Sequence, residues 1–476
     1  MRVRFPPSPT GPMHIGTARA LLFNFLFARQ QEGTIIFRSE DTDKERSETK
    51  FEAEILQGLK WLGLDFDEGP FRQSERLTIY EEYFGKLQKS GKIYPCFCTP
   101  EELSLERELQ RKNKEPPRYA GKCRALTSQD VAQKLKAGLQ PVWRFRVPQG
   151  EVAFQDLIRG QIREQGKHIS DFVIRKANQQ FLYHFTVVVD DVEMQISHVI
   201  RGEDHLTNTS KHLLLFDALG ANRPQFAHLP LLLNADRSKM SKRDETGKPA
   251  TLARLREEGY LPEAVLNFLV LLGWNPGDNQ EFFSLADLKK NFSLTKIQKA
   301  GAVFNLKRLN FFNQNYLRQL SLKELALQVK PYLNFALTDE AKFLAALDLI
   351  RPKLKFLAEA PELLRCFFEE PDLDLTLFQN SKMQVTLATS QSVLQSIMTN
   401  LAQLRIQDWT RENLKEHLTN LIQNLGFKNG QVLWPLRVAL TGLQFSPGAF
   451  EVAAVLGKEE SLKRIQSAID KIFNKL

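Results

Sequence analysis

At 476 residues, 42% hydrophobic and 25% charged, the chain has an ordinary globular composition and length for about two to four domains with a large core. Four cysteines in that length exclude a disulfide scaffold and point to a reducing compartment, and no apolar run approaches the roughly 20 residues of a membrane-spanning helix. The 65 Lys and Arg against 56 Asp and Glu leave a net charge of +9, which suits a polyanionic partner without requiring one.

Arg2 to Phe5 reads as a short strand, with no secretory or transit character before it, so a cytosolic protein is expected. Ser8-Pro9-Thr10-Gly11-Pro12 is a tight turn, because Pro presets φ and Gly tolerates close approach of another group. The run Ala18 to Leu26 has helix period. His14 stands where that helix begins, and a helix N-terminus offers free amides and partial positive charge to a phosphate. Taken alone, His14 reads first as a surface histidine on a strand-to-helix turn, because an isolated motif matches often by chance. Thr34 to Arg38 follows the breaker Gly33 as a second strand. Thr49 and Glu52 form a capping box for a helix to Leu62, and another helix covers about 74–89. This alternation predicts a parallel, doubly wound sheet whose ligands lie beyond the strand C-termini, where Ser8 and Glu40 can share one crevice.

Residues 96–190 read as an α+β insertion. Thr99, Pro100 and Glu102 make a strong helix start, 111–118 is a polar loop, Val142 to Val147 is a strand, and Phe172 to Val189 is a hairpin about Asn178. Alternation returns with a strand Ile196 to Arg201 and a helix from about Asn208 to Leu219. Then comes Arg237-Ser238-Lys239-Met240-Ser241-Lys242-Arg243. Such a Lys/Ser loop can clamp a triphosphate and offset the charge on departing pyrophosphate, or it can be a solvated basic loop. After about residue 250 the pattern is helical: an apolar helix from Pro262 through Leu272, then about 322–333, 338–350, 390–403 and 413–424.

Two of these stretches, in this order, resemble the paired signatures of class I aminoacyl-tRNA synthetases. His14-Ile15-Gly16-Thr17 is similar to their H-I-G-H, with Thr17 in the last place. Lys239-Met240-Ser241-Lys242-Arg243 is similar to their K-M-S-K-S, with Arg243 in the last place. The flanks narrow the resemblance to glutamyl-tRNA synthetases of bacterial type. Arg4 to Gly11 resembles R-x-A-P-S-P-T-G, departing at Pro6; Arg38 to Asp43 resembles R-x-E-D-T-D; Val199 to Leu206 resembles V-I-R-G-E-D-H-L. The likeness covers nearly the whole chain.

That resemblance implies a split Rossmann-like parallel-sheet catalytic domain (1–95 and 191–250) around an acceptor-binding α+β insertion (96–190). A helical stem-contact region (251–315) and an all-α anticodon-binding region (316–476) follow. It implies ATP with Mg²⁺, L-glutamate and a glutamate-accepting tRNA as substrates, a monomer in the cytoplasm and no membrane partner. Glutamine-accepting tRNA is an additional substrate in non-discriminating members. A tRNA-modifying relative of glutamyl-queuosine type would lack the helical tail. A non-catalytic tRNA-binding paralogue would carry a broken signature, whereas His14, Lys239 and Lys242 are intact. Glutaminyl specificity is disfavoured by the Ser-Pro-Thr-Gly start and by the helical tail.

Residue by residue, the likeness assigns His14, Lys239 and Lys242 to catalysis. It assigns Pro7, Ser8, Pro9, Thr10, Gly11, Gly16, Thr17, Met240, Ser241 and Arg243, with those three, to ATP. Glutamate falls to Arg4, Ser8, Glu40, Tyr183 and Arg201. Guanidinium forks suit two carboxylates, a carboxylate suits the ammonium, and a tyrosine hydroxyl can donate to a carboxylate. The bland alternatives are an Arg4–Glu40 ion pair between neighbouring strands and a Tyr183 that fills a hairpin core. Asp204 and His205 fall at neighbouring pocket positions. Arg437 and Phe450 fall in the anticodon region, where Phe450 either stacks on a base, worth roughly 1–3 kcal/mol, or packs in a helix core. Cys96, Cys98 and Cys123, with Tyr119 as fourth ligand, resemble a zinc site of some members; the alternative is three reduced, partly buried cysteines. Ala125 stands where several relatives have His.

Overall fold

The computed structural model describes residues 1–43, 47–240, 247 and 250–475; the expected ligands Ser241, Lys242 and Arg243 lie outside the described residues. The chain divides into two compact units, 1–256 with 262–306, and 257–261 with 307–476.

In the first unit, β1 (Arg2–Phe5), β2 (Thr34–Ser39) and β3 (Glu68–Arg72) pair in parallel, with Arg2 opposite Thr34 and Phe5 opposite Phe37. The crossovers are α1 (Ile15–Gln30) and α2 (Thr49–Leu62), and α3 (Leu77–Lys89) follows. Leu21, Leu22, Phe23, Phe25 and Leu26 of α1 are at most 2% exposed. A helix apolar on every side must be covered on every side. The capping box expected at Thr49 does not form. Glu48 takes the N-cap position without a side-chain bond, and the Glu52 carboxylate is 2.7 Å from Arg72. The guanidinium is a stronger partner than a solvated backbone amide.

β4 (Ile93–Cys96) precedes α4 (Pro100–Lys112), whose Thr99 capping box is present as expected: Thr99 Oγ1 accepts from Glu102 N at 3.2 Å, and the Glu102 carboxylate accepts from Thr99 N at 3.0 Å. After α5 (Ser128–Lys136) come β5 (Val142–Phe145), β6 (Glu151–Asp156), β7 (Gly160–Gln165) and β8 (Val173–Arg175). β4, β5 and β8 make an antiparallel three-stranded sheet. The expected hairpin through Val189 is corrected. The chain turns at 176–180, bridges Arg175 to Phe181, then enters a helix, α6 (Tyr183–Glu193). Its Val187-Val188-Val189 run favours strand locally, but tertiary burial of Phe185, Val188 and Val189 in the core overrides that preference.

β9 (His198–Gly202), α7 (Leu206–Ala218) and β10 (Gln225–Leu229) rebuild the parallel sheet. β6 pairs in parallel with β10 and carries β7 on its outer edge, so two strands of the 96–190 stretch belong to this sheet. Ser197 N donates to the Arg2 carbonyl at 3.0 Å, which sets β1 beside β9. The strand order reverses there, and in open α/β sheets that reversal leaves a crevice at the strand C-termini. β11 (Leu232–Leu233), α8 (Leu252–Glu257), α9 (Pro262–Leu271), α10 (Leu285–Asn291) and β12 (Ala302–Val303) follow.

Among its described residues the second unit holds helices, short 3₁₀ turns and one isolated bridge. The helices are α11 (Leu306–Gln319), α12 (Leu322–Val329), α13 (Glu340–Ile350), α14 (Ala360–Phe368), α15 (Leu387–Ala402), α16 (Arg411–Leu425), α17 (Asn429–Thr441), α18 (Ala449–Leu456) and α19 (Lys458–Phe473). Arg464, 2% exposed, ties three of them together by donating to the carbonyls of Cys366, Leu440 and Glu369. Among the described residues no helix is long and apolar enough to cross a membrane.

Candidate active site

A cleft of about 780 Å³ opens at the C-terminal ends of β1 and β9. Its walls include Pro7, Ser8, Thr10, Gly11, His14, Gly16 and Thr17 from the β1–α1 turn, and Lys239 and Met240 from the basic loop. Arg4, Glu40, Tyr183 and Arg201 face the same space. Pro9 does not line it; its ring is buried and its carbonyl accepts from Glu48 N at 3.1 Å.

His14 caps α1. Its Nδ1 accepts from Gly16 N at 3.0 Å, so in the neutral ring the proton sits on Nε2, which is a donor. A Cβ at Gly16 would stand 3.2 Å from that Nδ1, so the cap itself asks for glycine there. Gly11 differs: a Cβ there meets no atom within 4 Å, so its smallness serves the open cleft. The turn is also tied to the chain just beyond the basic loop. Ile15 N donates to Ala250 O at 3.1 Å and Leu252 N to Met13 O at 2.9 Å. On the other flank Met240 N donates to Leu232 O at 2.9 Å and Asn234 N to Ser238 O at 2.9 Å, forming a tight hairpin. Arg237 takes a φ of 65° at its tip. Lys239 stands there with Nζ 3.4 Å from Asp204 Oδ2, its side chain 61% exposed. That pair is weak enough for an incoming phosphate to replace.

The other end of the cleft concentrates buried charge. Arg4 and Glu40 do not pair with each other. Arg4 Nε is 3.3 Å from Asp191, and Glu40 is 3.1 Å from Arg38. Arg38, fully buried, also meets Asp191 at 2.7 Å and Asp190 at 3.8 Å. Burial works against its charge, but Asp191, Asp190 and Glu40 outweigh it and hold the guanidinium above its usual value. Arg4 Nη1 is buried and has no hydrogen-bond partner among the described residues, the signature of a donor awaiting a ligand. Burial pushes the Glu40 carboxyl up against the pull of Arg38 and Arg4. Tyr183 Oη lies 3.2 Å from His205 Nδ1, and burial together with the Glu40 charge pushes its hydroxyl up to about 12, so it stays a donor. Arg201 is 7% exposed and contacts His205, Thr209, His212 and His228.

Sequence reasoning missed Asp190 and Asp191, which hold Arg4 and Arg38. Both stand about two helical turns beyond Tyr183, a spacing visible once 183–193 is read as helix. It also missed the histidines around Arg201, for which no local signal exists.

Apart from this cleft, the sulfurs of Cys96, Cys98 and Cys123 lie within 4.8 Å of one another. Tyr119 Oη is 3.5 Å from Cys96 Sγ and 4.0 Å from Cys98 Sγ. A tetrahedral zinc ion with Zn–S near 2.3 Å needs sulfurs about 3.8 Å apart, and Cys98 and Cys123 are at 3.6 Å, so the set fits. Burial and the two neighbouring thiols push Cys98 up to about 12, a cost that a divalent cation removes. In the second unit Arg437 stacks on Trp434 at 4.6 Å and donates to Gln444 O at 2.7 Å. Phe450 is half-buried on α18, while Phe445, not anticipated, is 75% exposed.

Residues 1–311 match the catalytic domain of the class I tRNA synthetases (E and Q), and residues 324–469 match an anticodon binding domain. The glutamate–tRNA ligase of Heliobacterium modesticaldum is 43% identical over 99% of this chain and 97% of that protein. The one of Carboxydothermus hydrogenoformans is 41% identical over 98% of this chain and 99% of that protein. The crystal structure of a glutamate tRNA ligase from Elizabethkingia meningosepticum, in complex with its amino acid, superposes with a TM-score of 0.83 at 33% identity, covering 99% of both chains.

Proposed function

The chain belongs to the class I tRNA synthetases of the E and Q type, and from that premise we propose that it ligates L-glutamate to tRNA at the expense of ATP. The glutamate carboxylate attacks the α-phosphorus of ATP, pyrophosphate leaves, and a ribose hydroxyl of the tRNA end then takes the glutamyl group and releases AMP. Mg²⁺ bound to the ATP would supply neutralisation of phosphate charge. The chain's own work is placement and charge neutralisation.

His14 donates from Nε2 to phosphate beside the amides of α1, Lys239 meets the triphosphate from the opposite loop, and Lys242 joins it. The Gly11 turn admits the nucleotide. Arg4 and Arg201 hold carboxylate of the amino acid with the Tyr183 hydroxyl, and Glu40 holds its ammonium. The supporting observation is that His14, Lys239, Arg4, Glu40, Tyr183 and Arg201 all line one cleft. Residues 1–95 and 191–250, with Tyr183 and the strands β6 and β7, carry the catalysis, the rest of 96–190 meets the acceptor end, 251–315 the stem and 316–476 the anticodon. There Arg437 and Phe450 contact the RNA. Cys96, Cys98, Cys123 and Tyr119 are the residues that would hold a zinc ion, which would supply a structural link between β4 and the 119–123 turn. We infer that it works in the cytoplasm, a reading that four cysteines in so long a chain support.

The test is aminoacylation with separately purified glutamate- and glutamine-accepting tRNAs. Glutamate is expected on the first, and charging of the second would identify a non-discriminating enzyme. No glutamate on either overturns the reading.

A further inference from the structure

Four guanidinium groups lie buried near the cleft, and they are not neutralised alike: Arg19 donates only to the backbone carbonyls of Leu272 and Pro230. Arg4 has Asp191, and Arg38 has Asp190, Asp191 and Glu40. Arg201 has no carboxylate within ion-pair distance among the described residues. Its Nε donates to His228 Nε2 (3.3 Å) and its Nη1 to His212 Nδ1 (3.3 Å). Nη2 donates to Thr209 Oγ1 (2.7 Å) and to the His205 carbonyl (3.3 Å). Four of its five N–H groups thus meet neutral acceptors, and one Nη1–H is left over.

Arginine only donates, so each imidazole must turn a lone pair toward it, and that fixes both tautomers. His228 carries its proton on Nδ1 and gives it to Asp156 Oδ2 at 2.6 Å. Asp156 is held for this by the amides of Ile158 (2.9 Å) and Arg159 (2.7 Å). His212 carries its proton on Nε2 and gives it to His184 Nδ1 at 3.2 Å. Burial pushes all three rings below the usual histidine value, to about 3 for His184, which keeps them uncharged.

We propose that His212 and His228 are positioning residues for the acidic substrate: they aim the remaining Arg201 Nη1–H while leaving the full guanidinium charge to the ligand. The inference rests on the ligase reading above. A carboxylate at either place would hold the guanidinium more tightly and cancel its pull on glutamate. A hydrocarbon would leave buried N–H groups unsatisfied. An imidazole whose far N–H is already engaged avoids both.

The test is a His212 series: His212→Asn keeps an acceptor where Nδ1 was, His212→Asp has the same shape with a negative charge, and His212→Leu has neither. KM is measured separately for glutamate and ATP in tRNA charging, with circular dichroism as the check on folding. The Asn variant is expected within about threefold of wild type for glutamate. The Asp variant is expected to raise the glutamate KM on the order of tenfold to a hundredfold with little change for ATP. Equal glutamate KM for Asn and Asp, or parallel rises in both KM values, overturns the proposal. Should the Asp variant not fold, Asn against Leu decides: a higher glutamate KM for Leu supports the role and equal values refute it. A wild-type chain that charges no tRNA with glutamate overturns the ligase reading instead, so the two failures are separate.

Discussion

Replacing Arg201 and Arg38, in turn, by methionine should separate function from stability in opposite directions. Both are buried guanidiniums, at 7% and 0% exposure. Arg38→Met takes from Glu40 (3.1 Å) its ion-pair partner and from Asp191 (2.7 Å) and Asp190 (3.8 Å) one cation each, leaving them Arg4 and Arg76. Breaking such a buried group by removing one partner costs about 3–5 kcal/mol. For a unit of this size, at about 2 °C per kcal/mol, that is a fall of about 6–10 °C in Tm. Arg201→Met removes a buried cation that has no anion, which relieves a desolvation penalty of several kcal/mol. Against that, it leaves His212 Nδ1 short of a donor, at about 1–3 kcal/mol, while the His205 carbonyl keeps the Thr209 hydroxyl. The two nearly offset, so Tm should move by less than about 4 °C. The glutamate kcat/KM, by contrast, should drop on the order of a hundredfold, equivalent to about 2.7 kcal/mol, with the ATP KM little changed. Thermal melts followed by circular dichroism and the two KM values test this. A large fall in Tm for Arg201→Met, or none for Arg38→Met, would refute the charge distribution argued here.

Three further predictions concern separate parts of the molecule. His14→Asn keeps an acceptor for Gly16 N but loses the Nε2 donor. It should hold Tm while ATP–pyrophosphate exchange falls on the order of a hundredfold. His14→Ala should lose a further ~1 kcal/mol of stability with the cap, and near-normal exchange in the Asn variant counts against the assigned role. Elemental analysis should find about one zinc per chain, lost in Cys98→Ala, and a metal-free wild type ends that assignment. Burial depresses His184 to about 3 and His205 to about 4, and lowers His212 and His228. The groups facing them are Arg201, Lys211, Arg4, Arg159, Asp204 and Asp156. Below the unfolded value near 6.5 the unfolded chain binds more protons, so stability falls with falling pH, by up to about 1.4 kcal/mol per unit for each ring. The urea midpoint should therefore drop between pH 6.5 and pH 5, and less in His212→Asn; an unchanged midpoint contradicts the buried neutral rings.

Much of the site was legible in the sequence because its signals are local. A cap, a Pro-Gly turn and a strand of β-branched residues each act within a few positions, so β1, α1, β2 and the placement of His14 could be derived without neighbours. The cationic loop around Lys239 and the helical character beyond residue 250 were equally local. Helix 183–193 was not, because its valines favour strand in isolation and only burial between α3 and α7 makes them helical. The same error hid Asp190 and Asp191. Arg4 and Glu40 were expected either to pair or to face ligand; Arg4 instead meets Asp191 of α6 and Glu40 meets Arg38, two residues before it, and both still line the cleft. Sequence alone, then, determined which chemistry this protein carries, since the groups proposed for catalysis sit in short motifs at strand ends. Only the tertiary structure decided how the buried charges are shared. Asp156, His184, His212 and His228 come from four separate elements, and whether a guanidinium meets a carboxylate or an imidazole depends on which of them folding brings within about 3 Å.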